Sequence, residues 1–175
     1  MRFFKKEQRK RRGNREDVIL FAVGPHTFAI GAKAVEKIEN MEELQPIKLS
    51  AALPRLAKVK HTLERERPYF VVDASTHLLM LPSHASRVLM LRDSSVALAV
   101  DTIDRIAEIS AIHPLPHAFI GEERGWYRGV ALIQDAVVPV VNAEAFLTAS
   151  DIKQLQAALS KSAHSAKQAA GAVSA

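Results

Sequence analysis

Apolar and polar positions alternate in short blocks along most of this chain, and the blocks recur. Val18 to Val23 is a strand-length apolar run. Gly24-Pro25-His26 punctuates it as a turn, and Thr27 to Ile30 returns, which predicts a hairpin. Ala32 to Ile38 continues either extended or as one helical turn, with Ala34, Val35 and Ile38 expected to face the core. Pro46 and Pro54 break the next stretch, where Leu53, Leu56 and Val59 fit a helical turn or a loop that plugs a core. Tyr69 to Val72 reads as a strand, and Asp73 or Ser75 is placed to cap a short helix after it. Val88 to Leu91 and Val96 to Val100 form a second predicted hairpin around Arg92–Ser95, followed by a segment carrying Ile103, Ile106 and Ile109. Ile152, Leu155 and Leu159 share one face of a final helix, capped by Ser150 or Asp151 and expected to fray past about Ala166.

Two of these patterns occur twice. "YFVVDASTHLL" begins at Tyr69 and "VPVVNAEAFL" at Val138, 69 residues on. The two hairpins and the segments after them repeat at nearly the same offset. Two elements in the same order at one spacing predict an internal duplication, with halves at 18–87 and 88–150. Each half offers four or five short strands and little helix, which predicts small barrels too thin to stand apart. Residues 1–17 are expected to form a basic flexible arm, and 151–175 a C-terminal helix and tail.

Composition adds exclusions. In 175 residues, 48% of them hydrophobic, a packed core is attainable. No apolar run is long enough for a membrane-spanning helix, and the basic amino terminus lacks the apolar stretch of a secretory signal. The chain has no cysteine, which fits the cytoplasm. The formal net charge of +5 is concentrated in residues 1–17, so the folded body is near neutral and no specific nucleic-acid face is expected. That arm, with Phe3 and Phe4 beside Lys5 and Lys6, suits either a solubilising tail or a weak contact with a membrane or partner.

Candidate chemistry is sparse. His113 and His117 in "IHPLPHAF" are separated by two prolines and lack an acidic companion, so no metal site is expected. There is no nucleophile elbow and no phosphate-binding glycine loop, and Asp101 with Asp104 reads as a turn or cap rather than an acid–base pair. Neither a catalytic residue nor a cofactor is expected, and the chain is read as a non-enzyme. Gly121 and Gly129 are read as tight-turn positions. "RGWYRG" places Trp126 and Tyr127 between arginines, including Arg128, and fits a protein contact, a base-stacking site or a loop anchor.

The ordered set of motifs resembles the CheW-like domain, the adaptor fold of bacterial chemosensory arrays. The resemblance spans about Val18 to Leu147. It is carried by "VILFAVGPHTFAIGAKAVEKI", "FVVDASTHLLMLP", "SRVLMLRDSSVALAVDTIDRIAEI" with its Val100-Asp101 pair, "IHPLP", and "GEERGWYRGVALIQDAVVPVVNAEAFL". It implies an all-β fold with short helices: two small five-stranded β-barrels packed around a shared core, followed by the C-terminal helix. It implies a non-catalytic adaptor that links a chemosensory histidine kinase to receptors, in chemotaxis or pilus-based motility. The alternative is an assembly protein that uses the same fold to bind a different complex. Under the resemblance the protein-binding residues are Ile30, Val35, Glu36 and Ile38 on a first-barrel rim, Arg65 or Arg67 in the signature loop, and Val72, Leu98, Val100 and Ile103 in a groove between barrels. Trp126, Tyr127 and Arg128 add a possible hot spot.

The chain departs from the family in that loop. The family's Gly-Val-x-Asn-Leu-Arg-Gly falls on Lys60 to Glu66, so Arg65 keeps the arginine while Leu63 replaces the asparagine and Glu66 a glycine. Lys37 stands where the family has the glutamate expected to pair with that arginine, leaving Glu36 or Glu39 as substitutes.

Overall fold

The structure, a computed structural model, describes residues 15–44, 46–48, 59–64 and 67–172. Among the described residues, eleven strands form two sheets. The elements run β1 (Glu16–Val23), β2 (His26–Gly31), β3 (Val35–Asn40), α1 (Met41–Leu44), β4 (Ile47–Lys48), β5 (Lys60–Glu64), β6 (Arg67–Asp73), α2 (Ala74–Leu79), β7 (Arg87–Leu91), β8 (Val96–Val100), β9 (Thr102–Ile109), β10 (Tyr127–Ile133), β11 (Ala136–Val141) and α3 (Ala149–Ala172). Short 3₁₀ turns precede β3 and β10.

Sheet A has the order β10-β11-β2-β1-β9, and sheet B has the order β3-β7-β8-β6-β5-β4. Leaving out the two-residue β4, the two orders correspond strand for strand. In each, a hairpin sits in the middle: β1–β2 in sheet A, β7–β8 in sheet B. Its first strand pairs antiparallel with β9 or β3. Its second strand pairs parallel with β11 or β6. Each sheet therefore seats the hairpin of one sequence half among strands of the other.

The alternation along the strands builds three apolar clusters. In β6 to β8, Phe70, Val72, Leu89, Leu91, Leu98 and Val100 face one side of sheet B. They meet Ile19, Phe21, Phe28, Ile30 and Val141 from sheet A in one core shared by both sheets, which also takes Leu155 of α3. The opposite faces carry smaller clusters. Val18, Leu20, Ile109, Ala131 and Val140 collect on sheet A. Tyr69, Val71, Val88, Met90 and Ala97 collect on sheet B.

The expected barrels do not close. Both sheets are open, with β10 and β9 at the edges of one and β3 and β4 at the edges of the other. Both nonetheless curl. Ile109 of β9 and Ala131 of β10 share a cluster although they lie on opposite edges, and Arg105 Nη2 donates to Gln134 Oε1 at 2.8 Å across that gap. In sheet B, Lys37 of β3 reaches Glu64 of β5 at 3.0 Å over three intervening strands. At about 4.8 Å per strand, such contacts require a strongly bent sheet. Closure fails because the last edge bonds go elsewhere. Val130 of β10 exchanges backbone hydrogen bonds with His113 in the loop after β9, and β5 pairs with β4. A barrel needs those groups for edge-to-edge pairing.

Other expectations shift with the register. Ile38 is 42% exposed rather than core, as β3 is an edge strand, and Ile106 of edge strand β9 is 66% exposed. Gly129 sits not in a turn but at a bulge in β10, with φ of 149°. A side chain there would collide with the His113 carbonyl, so the loop bridge requires glycine. The final helix is not short: it continues past Ala166 to Ala172. Its cap is Thr148, whose hydroxyl accepts from Asp151 N at 3.1 Å while Asp151 Oδ2 accepts from Thr148 N at 2.9 Å, a reciprocal capping box. Residues Leu53 and Leu56, the amino-terminal fourteen residues and Arg65 lie outside the described residues.

Candidate docking surfaces

Consecutive aromatic residues divide two cavities. Trp126 ends the 3₁₀ turn before β10 and Tyr127 begins the strand, so their side chains leave in different directions. Tyr127 lies over Phe28, with ring centroids 6.5 Å apart and planes at 18°, and Phe28 in turn lies over Phe21 at 5.9 Å. Trp126 packs against the His77 imidazole at 4.2 Å, and Phe146 stands 5.6 Å from the same ring.

On the Tyr127 side is an apolar groove of about 540 Å³. Leu78 and Leu79 of α2 form one wall. Phe28 of β2, Tyr127 of β10, and Val137 and Val138 of β11 form the other, with Leu115 and Phe119 from the long loop. The groove lies where the helix that follows a sheet-B strand meets sheet A. Asp101 fixes that meeting: its Oδ2 accepts from Gly24 N at 2.7 Å in the β1–β2 turn, and its Oδ1 accepts from Ser75 Oγ of α2 at 3.4 Å. The turn role expected for Asp101 is what the structure shows. Asp104 instead pairs with Arg105 at 2.8 Å. Phe119 is 43% exposed and Val137 68% exposed, so the groove has an accessible apolar lip. Burial pushes the Tyr127 phenol above its ordinary value.

On the Trp126 side is a cavity of about 760 Å³, floored by Val59, Val72, Phe146 and Leu147. Asp73, which caps α2 by accepting from Thr76 N at 2.9 Å, and Asp151 stand in its wall. His77 Nε2 is buried with no hydrogen-bond partner. Burial holds the His77 imidazole below its ordinary value, with the Asp151 carboxylate opposing that shift. His77 lies on α2, in the short helix expected after Asp73.

The sequence-predicted residues scatter relative to these features. Ile30, Val35, Leu98 and Val100 are buried in the shared core, and Ile103 packs partly against it. Val72 reaches the His77 cavity from beneath. Glu36 and Ile38 are exposed on edge strand β3. Arg67 is exposed, its guanidinium 5.5 Å from the Tyr69 ring centroid. Arg128 forms a two-pronged ion pair with Glu16, at 2.5 and 3.0 Å, joining β10 to β1. That pair lowers the Glu16 carboxyl and raises the Arg128 guanidinium. Lys37 contacts Glu39 and Glu64. Lys37 of β3 is thus itself paired with glutamates, and the expected pairing of Glu36 or Glu39 with Arg65 lies outside the described residues. Leu79, Phe119 and Val137 were missed because only the fold brings α2, the loop and β11 together.

Among the described residues no group of three His, Asp or Glu side chains is placed to hold a metal, and no helix is long and apolar enough to cross a membrane. Two interlocked sheets with an accessible apolar groove define a binding scaffold. The comparison with known families sharpens this. A model of the CheW-like domain matches residues 17–151, and the chain belongs to that family, whose members are non-catalytic scaffolds. The crystal structure of the scaffolding protein TtCheW from Thermoanaerobacter tengcongensis superposes with a TM-score of 0.64 at 13% identity, covering 78% of this chain and 90% of that one. At that identity the likeness is one of fold. No curated protein matches.

Proposed function

We propose that this chain is a cytoplasmic adaptor that couples a chemosensory histidine kinase to receptors by docking alone, with the groove at Tyr127 as its main receptor-facing surface. The groove carries the reading. It is apolar, it has an accessible lip at Phe119 and Val137, and it lies at the join of the two sheets, where a helix from a partner can lay an apolar stripe. Membership of a family of scaffolds supports it. Edge strand β3, with Glu36 and Ile38 exposed, supplies a second face, and its Lys37 contacts Glu64, which precedes Arg65 in the sequence.

Affinity capture from native cell extract tests the proposal, comparing the natural chain with Val137→Asp and Arg65→Glu. Recovery of a histidine kinase or receptor, reduced about tenfold or more by V137D, is the expected result; a charge in a desolvated hot spot has an effect of that size. Recovery that V137D leaves unchanged would remove the groove from the mechanism. The reversed polarity at Lys37 favours a second reading, an assembly protein for a different complex. Capture of an unrelated assembly with neither kinase nor receptor would establish that one instead.

A further inference from the structure

We propose that the Tyr127 groove has an occupant within the same chain: the amino-terminal arm, residues 1–14, seats Phe3 and Phe4 there in competition with any partner. The regulation this implies rests on the adaptor reading; the seating itself does not. The arm has two parts. Phe3 and Phe4 are adjacent aromatic residues, and the ten residues after them, Lys5 to Asn14, include no hydrophobic one. The groove is matched to the first part. No Asp, Glu, Lys or Arg appears among its described lining residues, and its lip leaves Phe119 and Val137 accessible. Two aromatic side chains bring a large apolar surface that is favourably removed from water, while the charged stretch stays in water as a tether.

The start of the described chain sets the reach. Arg15 Nη1 donates to Glu108 of β9 at 3.0 Å, and Glu16 holds the Arg128 guanidinium with both carboxylate oxygens. Arg128 follows Tyr127, so the arm leaves the body at the Tyr127 end of the groove. From there the groove runs along β10 and β11 toward Val137, which pairs with Leu132, about 17 Å along the strand from Tyr127. Phe4 is eleven residues from Arg15. A chain of that length spans at most about 36–40 Å, and about 18 Å on average when unstructured. The Phe pair therefore reaches the groove without any movement of the body. Tethering at this distance gives an effective concentration on the order of millimolar, far above that of a second copy in dilute solution.

The chain contains no cysteine, so Gln8→Cys accepts a single nitroxide label close to the Phe pair. In the dilute full chain, the methyl resonances of Leu78, Leu79 and Val137 are expected to broaden with the label oxidised and to recover when it is reduced. The double variant Phe3→Ser, Phe4→Ser removes the broadening. A separate peptide of residues 1–14 binds that variant at least about tenfold more tightly than it binds the natural chain, because the tethered competitor is gone. Groove resonances untouched by the label, or touched equally in the double variant, overturn the proposal. So does broadening of an isotope-labelled natural chain by added spin-labelled chain, which assigns the groove to a second copy. Affinity capture from cell extract separates the two readings. If the label reports the seat yet the double variant leaves kinase and receptor recovery unchanged, the adaptor reading of the groove fails and the seat stands. If recovery depends on Val137 but the label reports no seat, the seat fails and the adaptor reading stands.

Discussion

Sheets A and B share one strand order, yet they hold their open edges together by different means. In sheet A the edges are linked two ways, by Arg105 on Gln134 and by the His113 backbone laid against Val130, and Arg128 of edge strand β10 also reaches Glu16 of β1, the strand beside the other edge. In sheet B the described link is Lys37 between Glu39 and Glu64. An unpaired strand edge is a template for unwanted pairing, and charged side chains along it suppress that. The contrast teaches that this architecture needs bent sheets around a common core but not backbone closure, and that the edge chemistry can differ between copies of one plan.

The largest test of that view concerns the common core. Phe21 of sheet A and Leu98 of sheet B are both fully buried in it. Phe21→Ala and Leu98→Ala are each expected to lower stability by about 3–5 kcal/mol, and each in a single denaturant transition seen alike by Trp126 fluorescence and circular dichroism. Two separated transitions would show that the sheets are independent units.

Arg128→Ala is expected to have a smaller effect, at most about 1 kcal/mol, since both partners are partly exposed and screened. Its pH dependence carries the sign. Glu16 has a folded value below the ordinary carboxyl value of 4.5, so the pair's contribution is complete above 4.5 and is lost as pH falls through the lowered folded value. The gap between natural chain and variant, followed by thermal melts across acidic pH, should be constant near neutrality and close in acid. A gap that widens in acid contradicts the assignment. Lys37→Glu, in the more sparsely linked sheet, is expected to shift stability least, by a few tenths of a kcal/mol, and that shift should shrink further in high salt. A loss as large as that of the core variants would mean that this edge holds the sheet together.

The hairpins were legible because their signals are local. Gly24 adopts the positive φ of 55° that the β1–β2 turn needs, and Asp93 does the same for β7–β8 at 52°. The strand at Tyr69–Val72 and the Asp73 cap were equally visible. The edge arrangement was not. The pairings Phe70 with Val96 and Val140 with Ala29 are parallel and join distant segments, and no turn residue announces them. Open edges rather than barrels follow from His113 using the groups of Val130, a tertiary competition that a strand pattern cannot display. The site was legible only in part. Trp126 and Tyr127 were marked by residue type, but their division between two cavities depends on where the 3₁₀ turn stops. Candidates such as Ile30 and Leu98 were set on a rim and in a groove by the resemblance, yet both are core, because an apolar position in a strand does not by itself separate core from groove.

The nesting of the strands also fixes an order of events during synthesis. Every strand of sheet B lies between Val35 and Val100, so that sheet can assemble as soon as this stretch has left the ribosome. The β1–β2 hairpin is made first but must wait for β9 and β11, more than seventy residues later, before either of its flanks is covered. Until sheet B forms, the hairpin presents Phe21, Phe28 and Ile30 on one face without the sheet-B side chains they meet in the shared core. This early hairpin is therefore the last to have both flanks secured, and the nascent protein is most open to capture by a chaperone, or by a second copy, there.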